Sequence, residues 1–437
     1  MKLLTTAVTP QGTFRGCPMK NHTLFKGIPY AKAPVGALRF EPAAEPDCFD
    51  GVQNADTFPP IAMQHFTDPV GMYQKEFYSN PAYQFPISED CLYLNIWTPA
   101  AGADEHLPVA VWIHGGGLEH GFAAELEFDG EAYCQKGVIL VSVAYRVNLF
   151  GFLYTEEQEA RLGHSGNQGF LDQIRALRWV YENIRSFGGD PENITLMGQS
   201  AGAISTQVLA LSPLSGPYIK RAILQSGGGL EAFRNLYLTR EEALSITEKV
   251  YELCGVSSLE KLKEFPAEFL LEKADELMAF YSSLPFRPVI DGYVLPEHPS
   301  IMVQKGMLAK VPYLIGSTKN DLLIPKGAAS HREGSLYKAA VSYARMCSSI
   351  HYPPVYVYEF CHDLPGSPDG AFHSSELWYT FGTLSRCWRP MTEEDYRLSE
   401  EMVACWTSFM KTGNPNTPGC PDWKPCTLDS CYIRTFR

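Results

Sequence analysis

The feature of this sequence that most constrains its fold is a predicted strand, sharp turn and helix between residues 194 and 211. An apolar run from Ile194 stops at Gly198, and beyond Gly202 apolar residues recur at helical spacing. The turn reads Gly-Gln-Ser-Ala-Gly, a G-x-S-x-G pattern whose glycines leave room for a strained turn that exposes a serine hydroxyl. Ser200 is therefore a candidate nucleophile. The competing interpretation is a turn of small residues that only lets the helix pack on the strand. Whether Ser200 is a nucleophile therefore depends on finding its catalytic partners elsewhere in the sequence.

Length and charge exclude several classes of protein. The 437 residues are 45% hydrophobic and 19% charged, with no linker or internal repeat, which favours a single globular domain over residues 1–437. The net charge is −13 and basic residues do not cluster, so neither nucleic acid nor an anionic membrane is an expected partner. The first ten residues do not resemble a secretory signal, and the apolar tract at 138–145 is too short to span a bilayer. We therefore expect a cytoplasmic protein.

The 12 cysteines form no C-x-x-C pair, and their irregular spacing argues against a zinc ribbon or a redox pair. Cys420, Cys426 and Cys431 lie near one another in sequence and could be metal ligands, but no paired spacing supports this reading. Free thiols in a reducing compartment are the expectation, and the chemistry considered below requires no metal or cofactor.

A second predicted strand, at residues 109–113, ends in His114 and three glycines at 115–117. Backbone amides that carry no side chains can point at an oxygen that becomes negative in a transition state. In acyl transfer they act together with the amide of the residue after the nucleophile, here Ala201. A flexible glycine turn is the alternative. The presence of both the His-Gly-Gly-Gly motif and the G-x-S-x-G pattern in one chain favours acyl transfer.

Strands alternate with helices through most of the chain, which predicts a parallel sheet with ligands bound beyond the carboxyl ends of its strands. Further strands are predicted at 138–145, 221–227, 311–316 and 355–360, and helices at 169–187, 335–350 and 398–410. The strand at 355–360 is expected to be the last. The first hundred residues are expected to form an edge sheet rather than part of a site, and residues 231–281 a helical cap.

A serine nucleophile needs a histidine to take its proton and a carboxylate to orient that histidine. The order Ser, acid, His along the chain leaves four candidates for the base: His331, His351, His362 and His373. Asp321 follows the predicted strand at 311–316 by a short loop and is the preferred acid, with Asp291 as the alternative. Position alone does not choose between His362 and His373.

The ordered motifs of the chain closely resemble those of the type-B carboxylesterase and lipase family, which includes the cholinesterases. The matching stretches are 27–31, 38–40, 88–95, 114–117, 128–130, 167 with 172–173, 187–191, 198–202, 225–227, 370–377 and 412–416. The resemblance, which is to bacterial cytosolic members, implies an α/β-hydrolase fold. In that fold a mostly parallel central sheet is flanked by helices, here with a reduced helical cap.

The resemblance also implies a role for individual residues. It assigns the base to His373 and the acid to Asp321, with Ser200 as the nucleophile. It makes Ser226 a buried supporting serine. The implied oxyanion hole consists of the backbone amides of Gly116, Gly117 and Ala201.

Three departures from the family pattern have consequences. The acid is usually glutamate, and the shorter Asp321 requires its loop to lie closer to the base. The usual disulfide partner of Cys91 is replaced by Ala62, which agrees with a cytosolic protein. Asp321 and His373 are only 52 positions apart, so cap helices are expected to be missing. The remaining cap insertions are expected around 231–300 and 325–352.

The function that the resemblance implies is that of a serine carboxylesterase, acting on a small-molecule ester through an acyl-enzyme. Because no apolar lid is evident, small or aromatic esters are expected, with Leu118, Glu119 and Trp378 at the substrate site. A place for Trp378 in the core is the alternative. The protein is expected to be a monomer or a weak homodimer. The rival functions are a catalytically silent binding protein and a hydrolase of thioesters, lactones or carbamates.

Overall fold

The computed structural model describes residues 2–65, 71–230, 235–281 and 284–437. Within these ranges every helix is too short or too polar to cross a membrane.

The described strands form one large sheet whose central and carboxyl-terminal half is parallel. The strands are β1 Thr6–Thr9, β2 Gly12–Pro18, β3 Thr23–Pro29, β4 Val52–Ala55, β5 Tyr93–Thr98, β6 Leu107–Ile113, β7 Ile139–Val143, β8 Gly189–Gln199, β9 Arg221–Gln225, β10 Tyr313–Thr318, β11 Val355–Phe360 and β12 Ile433–Phe436. Their order is β1-β2-β3-β5-β7-β6-β8-β9-β10-β11-β12, with β4 beside β2. All pairs from β7 to β12 in this order are parallel, whereas the path from β1 to β7 is antiparallel.

Helices flank this sheet. They are α1 Met72–Phe77, α2 Glu131–Gln135, α3 Asn148–Phe152, α4 Glu156–Leu162, α5 Gln168–Asn183, α6 Ala201–Leu211, α7 Arg240–Cys254, α8 Leu259–Lys263, α9 Ala267–Phe280, α10 Pro299–Gln304, α11 Ser335–Ser349, α12 Leu377–Thr380 and α13 Glu393–Thr412. The helices predicted at 169–187, 335–350 and 398–410 correspond to α5, α11 and α13. Local chemistry sets their ends; for example, Thr239 and Glu242 form a capping box at the start of α7.

The two faces of the sheet each carry an apolar core. In β6, Val109, Val111 and Ile113 belong to one core, and Ala110 and Trp112 belong to the other. Side chains of a strand alternate between faces, so a strand covered on both sides must be apolar throughout. This requirement explains the continuous apolar runs of the central strands.

The structure corrects three expectations about the fold. The strand at 355–360 is not the last, because β12 pairs in parallel with β11. This edge strand was missed since it is short and includes a charged residue, Arg434. The first hundred residues contain α1 as well as strands. Finally, the stretch 325–352 contains α11, which packs on β10 and β11 as the crossover between two parallel strands rather than as a cap.

The expected cap over the sheet corresponds to α7, α8 and α9. Helices α7 and α9 pack on each other, and α9 also contacts α3. Residues 231–234 and 282–283 of the expected cap insertion at 231–300 lie outside the described residues.

The expectation of free thiols is wrong for one pair of cysteines. Cys426 and Cys431 form a disulfide, with Cα atoms 4.1 Å apart, in the loop between α13 and β12. The other cysteines are free, including the buried Cys91. The pairing escaped prediction because a five-residue separation matches none of the spacings used to recognise metal or redox pairs.

Candidate active site

The turn between β8 and α6 presents Ser200 in a strained conformation. Its φ is 55° and its ψ is −124°, a region that residues with side chains rarely adopt. The flanking glycines are required by close contacts. A Cβ on Gly202 would lie 2.0 Å from the carbonyl oxygen of Ile113, and one on Gly198 would lie 2.3 Å from the backbone of Gly202. Helix α6 thus begins in close contact with β6 and β8, and the turn directs Ser200 beyond the carboxyl ends of these strands.

Asp321 and His373 form a buried pair. His373 Nδ1 donates to Asp321 Oδ1 over 2.6 Å. Three further donors hold the carboxylate: Ser226 Oγ at 2.7 Å, the Thr318 amide at 2.9 Å and the Leu322 amide at 2.8 Å. The carboxylate is therefore oriented before any substrate arrives, as the acid of a catalytic triad must be.

Two hydrogen bonds of Asn320 explain how the short Asp321 side chain reaches His373. The Asn320 amide donates to the carbonyl oxygen of Ala371 over 2.9 Å, and the Ala371 amide donates to Asn320 Oδ1 over 3.1 Å. These bonds join the residue before Asp321 to the loop that carries His373. These bonds hold the loop of Asp321 close to the loop of His373. Such closeness is needed because aspartate is one methylene shorter than the glutamate that is usual in the family.

The surroundings of His373 favour its protonated form. Burial lowers its pKa, but the charge and hydrogen bond of Asp321, assisted by the charge of Glu376, outweigh burial and raise the pKa above its usual value. Gln199 Nε2 lies 3.2 Å from His373 Nε2. In the neutral ring this nitrogen accepts while Nδ1 donates to Asp321, which is the tautomer a general base needs.

Glu376 is a buried carboxyl group that sequence reasoning did not single out. Its Oε1 lies 3.5 Å from Ser226 Oγ. Burial and the charge of Asp321 raise the pKa of Glu376 to about 7, although His373 opposes the shift. The signal in the sequence was its position three residues after the base. Gln199 was also passed over, although it directly precedes the nucleophile.

The glycine loop after β6 has the properties of an oxyanion hole. Gly116 and Gly117 have φ values of 97° and 68°, and a Cβ on Gly116 would lie 2.1 Å from the carbonyl oxygen of His120. Neither amide donates to another described residue. The amide of Ala201, the first residue of α6, has no acceptor within its own helix. These donors are available to an oxygen placed beside Ser200.

One cavity of about 340 Å³ joins these groups. Ser200, His373 and the glycines at 115–117 line it. The remaining described lining residues are aromatic, apolar, acidic or otherwise polar: Tyr73, Gln74, Phe77, Tyr78, Glu119, His120, Glu125, Glu127, Phe128, Gln199, Met278, Leu284, Leu322, Ser374 and Leu377. Four of these residues come from α1 or adjoin it, so the first hundred residues do contribute to the site, contrary to expectation.

The three residues predicted at the substrate site are placed differently. Glu119 lines the cavity, whereas Leu118 and Trp378 do not. Trp378 is fully buried, stacks on Phe77 at 5.5 Å and donates to Glu76 Oε1 over 3.0 Å. It is a core residue that supports the cavity wall from behind.

The alternative acid and bases lie outside the described cavity lining. His362 Nε2 pairs with Asp395 Oδ1 at 2.8 Å, and His351 is exposed. Asp291 instead accepts backbone amides in its own turn.

The remaining candidate base, His331, belongs to the one group of three possible metal ligands among the described residues, with Glu359 and Cys361. Arg332 already pairs with Glu359 at 2.8 Å, so a cation would meet a positive charge there. Cys420, considered as a metal ligand with Cys426 and Cys431, is a free cysteine, and the other two form the disulfide.

Comparison with known proteins gives concordant matches along the chain. The profile of the carboxylesterase family matches residues 4–353 and 333–435. Para-nitrobenzyl esterase of Bacillus subtilis is 33% identical over 94% of this chain and 90% of its own length. The medium-chain fatty acyl-CoA hydrolase precursor of Anas platyrhynchos is 31% identical over 98% of this chain and 87% of its own.

Solved structures agree with these sequence matches. A thermophilic PNB esterase superposes with a TM-score of 0.87 at 30% identity, covering 99% of this chain and 96% of its own. Carboxylesterase EST55 of Geobacillus stearothermophilus gives 0.82 at 32% identity, with the same coverage. The predicted α/β-hydrolase fold is confirmed.

Proposed function

This chain belongs to the carboxylesterase family and is a carboxylic ester hydrolase, and from this premise we propose that Ser200, His373 and Asp321 are its catalytic triad. The observation that carries the proposal is their arrangement. His373, bonded to Asp321 at 2.6 Å, lines the same cavity as Ser200 and the two glycines of the oxyanion loop. No other histidine considered as the base lines that cavity among the described residues.

The reaction proceeds in two steps. His373 Nε2 takes the proton of Ser200 as Oγ attacks the ester carbonyl, and the amides of Gly116, Gly117 and Ala201 stabilise the resulting oxyanion. The carbon–oxygen bond to the alcohol then breaks, and His373 returns the proton to the departing alkoxide. Water attacks the acyl-enzyme by the same proton transfers, which releases the acid and restores Ser200.

Gln199 must adjust during this cycle. Its amide nitrogen donates to His373 Nε2 in the resting site, and that nitrogen is the atom that receives the serine proton. Once protonated, Nε2 becomes a donor, so the Gln199 amide has to turn away or present its oxygen.

Hydrolysis of p-nitrophenyl acetate tests the triad. We predict that Ser200→Ala and His373→Ala each lower kcat by on the order of a million-fold, because the triad acts as a unit. His362→Ala is the matched control, since it removes a partly buried His–Asp pair without touching the cavity. If His362→Ala abolished activity and His373→Ala retained it, the base would be His362.

The remaining properties follow from composition. We propose a monomer or weak homodimer that acts in the cytoplasm on a small ester, without nucleic acid or membrane partners. A net charge of −13 supports this proposal because it opposes both self-association and binding to anionic surfaces. The Cys426–Cys431 disulfide is the feature that argues against a reducing compartment.

A further inference from the structure

A buried ion pair joins a wall of the cavity to the chain that follows the proposed base. Glu76 lies in α1 and Arg389 lies shortly before α13, and their side chains are only 1% and 4% exposed. Arg389 Nε lies 3.0 Å from both carboxylate oxygens of Glu76, and Arg389 Nη2 lies 2.9 Å from Oε2. The ring nitrogens of Trp378 and Trp388 donate to the same carboxylate, each over 3.0 Å. Each oxygen of Glu76 thus accepts from one tryptophan and from the guanidinium.

Helix α1 depends on contacts of this kind for its position. It is six residues long, and the residue at its amino-terminal end, Gly71, provides no side-chain cap. A helix this short is not stable by itself in water, so contacts with the rest of the protein must hold it. The buried residues of α1 are Glu76 and Phe77, and Phe77 stacks on Trp378 at 5.5 Å. Both residues therefore attach α1 to the chain that follows His373.

Helix α1 in turn contacts the proposed base. The hydroxyl of Tyr73 donates to the carbonyl oxygen of His373 over 3.2 Å, and the Tyr73 ring meets the Phe372 ring edge-on at 6.4 Å. Tyr73 and Glu76 are three positions apart in the helix, so their side chains are neighbours on its surface. The position that Glu76 gives to α1 is thus passed to the backbone of His373 through Tyr73.

Arg389 also holds the loop that carries the base, residues 361–373. Its Nη1 donates to the carbonyl oxygen of Pro365 over 3.0 Å, and its guanidinium carbon lies 5.7 Å from the centre of the Phe372 ring. This base loop lies between β11 and α12, outside the helices and strands, so its backbone must be fixed by individual contacts. The guanidinium of Arg389 therefore joins α1 directly to the loop of His373.

Stability alone does not account for a buried ion pair at this place. Removing two charges from water is costly, and apolar side chains of similar volume often stabilise a protein equally well. A planar guanidinium adds direction, because it can bond both oxygens of a carboxylate and a further acceptor in a fixed geometry. For Arg389 these acceptors are Glu76 in α1 and Pro365 in the base loop. The pair therefore fixes the orientation of two parts of the site.

We propose that Glu76 and Arg389 are positioning residues for catalysis, which hold His373 in line with Ser200 by fixing α1 and the base loop to each other. The inference rests on the proposed function, since it concerns the placement of the proposed base. Neither Glu76 nor Arg389 is among the described residues that line the cavity, so both act through His373 rather than on the substrate. Misplacement of a reacting group by about 1 Å can cost on the order of a hundredfold in rate.

Two matched substitutions test the ion pair. Glu76→Gln should lower kcat/KM for p-nitrophenyl acetate by about ten- to a hundredfold, because it frees α1 and the base loop to shift. Glu89→Gln is the control, since Glu89 forms a similarly buried pair with Arg39, at 2.5 and 2.6 Å, outside the described cavity lining. Both variants leave an arginine beside a neutral amide, but Glu89→Gln should change kcat/KM by less than about threefold. Equal kinetic losses in the two variants would overturn the positioning role.

Two conservative variants test the same role if Glu76→Gln does not fold. Arg389→Lys keeps a positive charge beside Glu76 but lacks the planar fork, so we expect kcat/KM to fall by about three- to tenfold. Tyr73→Phe removes only the hydroxyl that donates to His373, and a loss of similar size is expected. The double variant should lose less than the product of the two single losses, because both changes act on the same placement of His373. Full activity in both single variants, or losses that simply multiply, would contradict the proposal.

A spectroscopic measurement separates this inference from the triad. The proton on His373 Nδ1 lies in a 2.6 Å contact with Asp321 and should give a proton NMR signal downfield of the amides, assigned by its loss in His373→Ala. We expect this signal to shift or broaden in Glu76→Gln and Arg389→Lys, and to stay in place in Glu89→Gln. An unchanged signal in the first two variants would overturn the positioning role. Full ester turnover in His373→Ala would instead overturn the triad, while the signal in the other variants would still report whether the ion pair holds His373.

Discussion

Asp321 shows how one residue can determine the properties of the whole site. It accepts hydrogen bonds from four donors, one of which is His373 Nδ1. The same contact raises the pKa of His373 against the opposing effect of burial. Orientation of the proposed base and tuning of its basicity are thus two consequences of a single carboxylate.

The pH dependence of catalysis follows from this contact. As the proposed base, His373 must be neutral to accept a proton, so with its raised pKa we expect activity to fall as the pH drops through a value above the usual imidazole pKa of about 6.5. We predict that Asp321→Asn lowers kcat on the order of 10⁴-fold and moves the acid limb of kcat/KM to lower pH, because the charge that raises the pKa is removed.

Profiles of kcat/KM against pH check this prediction. Asp47→Asn is the control, since it removes an aspartate from an exposed pair with Lys32. An acid limb that stays in place in Asp321→Asn would show that another group controls the ionisation.

At the scale of elements, the site depends on how α6 begins against two strands. A side chain on Gly202 would meet the carbonyl oxygen of Ile113 in β6, and a side chain on Gly198 in β8 would meet the backbone of Gly202 in α6. The positions of α6, β6 and β8 are therefore coupled, and the conformation of Ser200 is a result of their packing.

We predict that Gly202→Ala lowers the free energy of unfolding by about 1–3 kcal/mol and abolishes most esterase activity, because the added methyl displaces α6 from β6. Urea unfolding and p-nitrophenyl acetate hydrolysis measure the two effects. Gly216→Ala is the matched control: its added Cβ meets nothing within 4 Å, so stability should change by less than about 0.5 kcal/mol. Equal behaviour of the two variants would contradict the coupling.

At the scale of the whole molecule, the cavity is assembled from distant parts of the chain. Helix α1 contributes Tyr73 and Phe77, α9 contributes Met278, and the loop after β11 contributes His373. The cavity volume of about 340 Å³ is near the lower end of the roughly 300–1,000 Å³ found for ligand pockets. These facts support small or aromatic esters as the substrates.

We predict that kcat/KM for p-nitrophenyl esters is highest for short acyl chains and falls from butyrate to laurate. The physical reason is that the described cavity has little room for a long chain beside the aromatic alcohol. Met278→Ala should move the optimum to longer chains, whereas Met307→Ala, at an exposed position, should not. Fastest turnover of laurate by the wild type would contradict the predicted size limit.

Local patterns in the sequence determined the strands, helices and turns that depend only on residues close together in the chain. The strand, turn and helix around Ser200, the glycines after β6 and the apolar central strands were predictable because each has its own periodicity and turn chemistry. The order of serine, acid and histidine along the chain reduced the candidates for the base to four histidines. The family resemblance, rather than position, selected His373 over His362.

Only the tertiary structure decided which distant side chains meet. Tyr73 donates to the carbonyl oxygen of His373 across 300 positions of sequence, and Ser200 lines a cavity to which residues from α1 and α9 also contribute. The disulfide between Cys426 and Cys431 likewise matched no known spacing. Such contacts leave no periodic signal in the chain, because they arise from packing between elements whose relative positions no local pattern records.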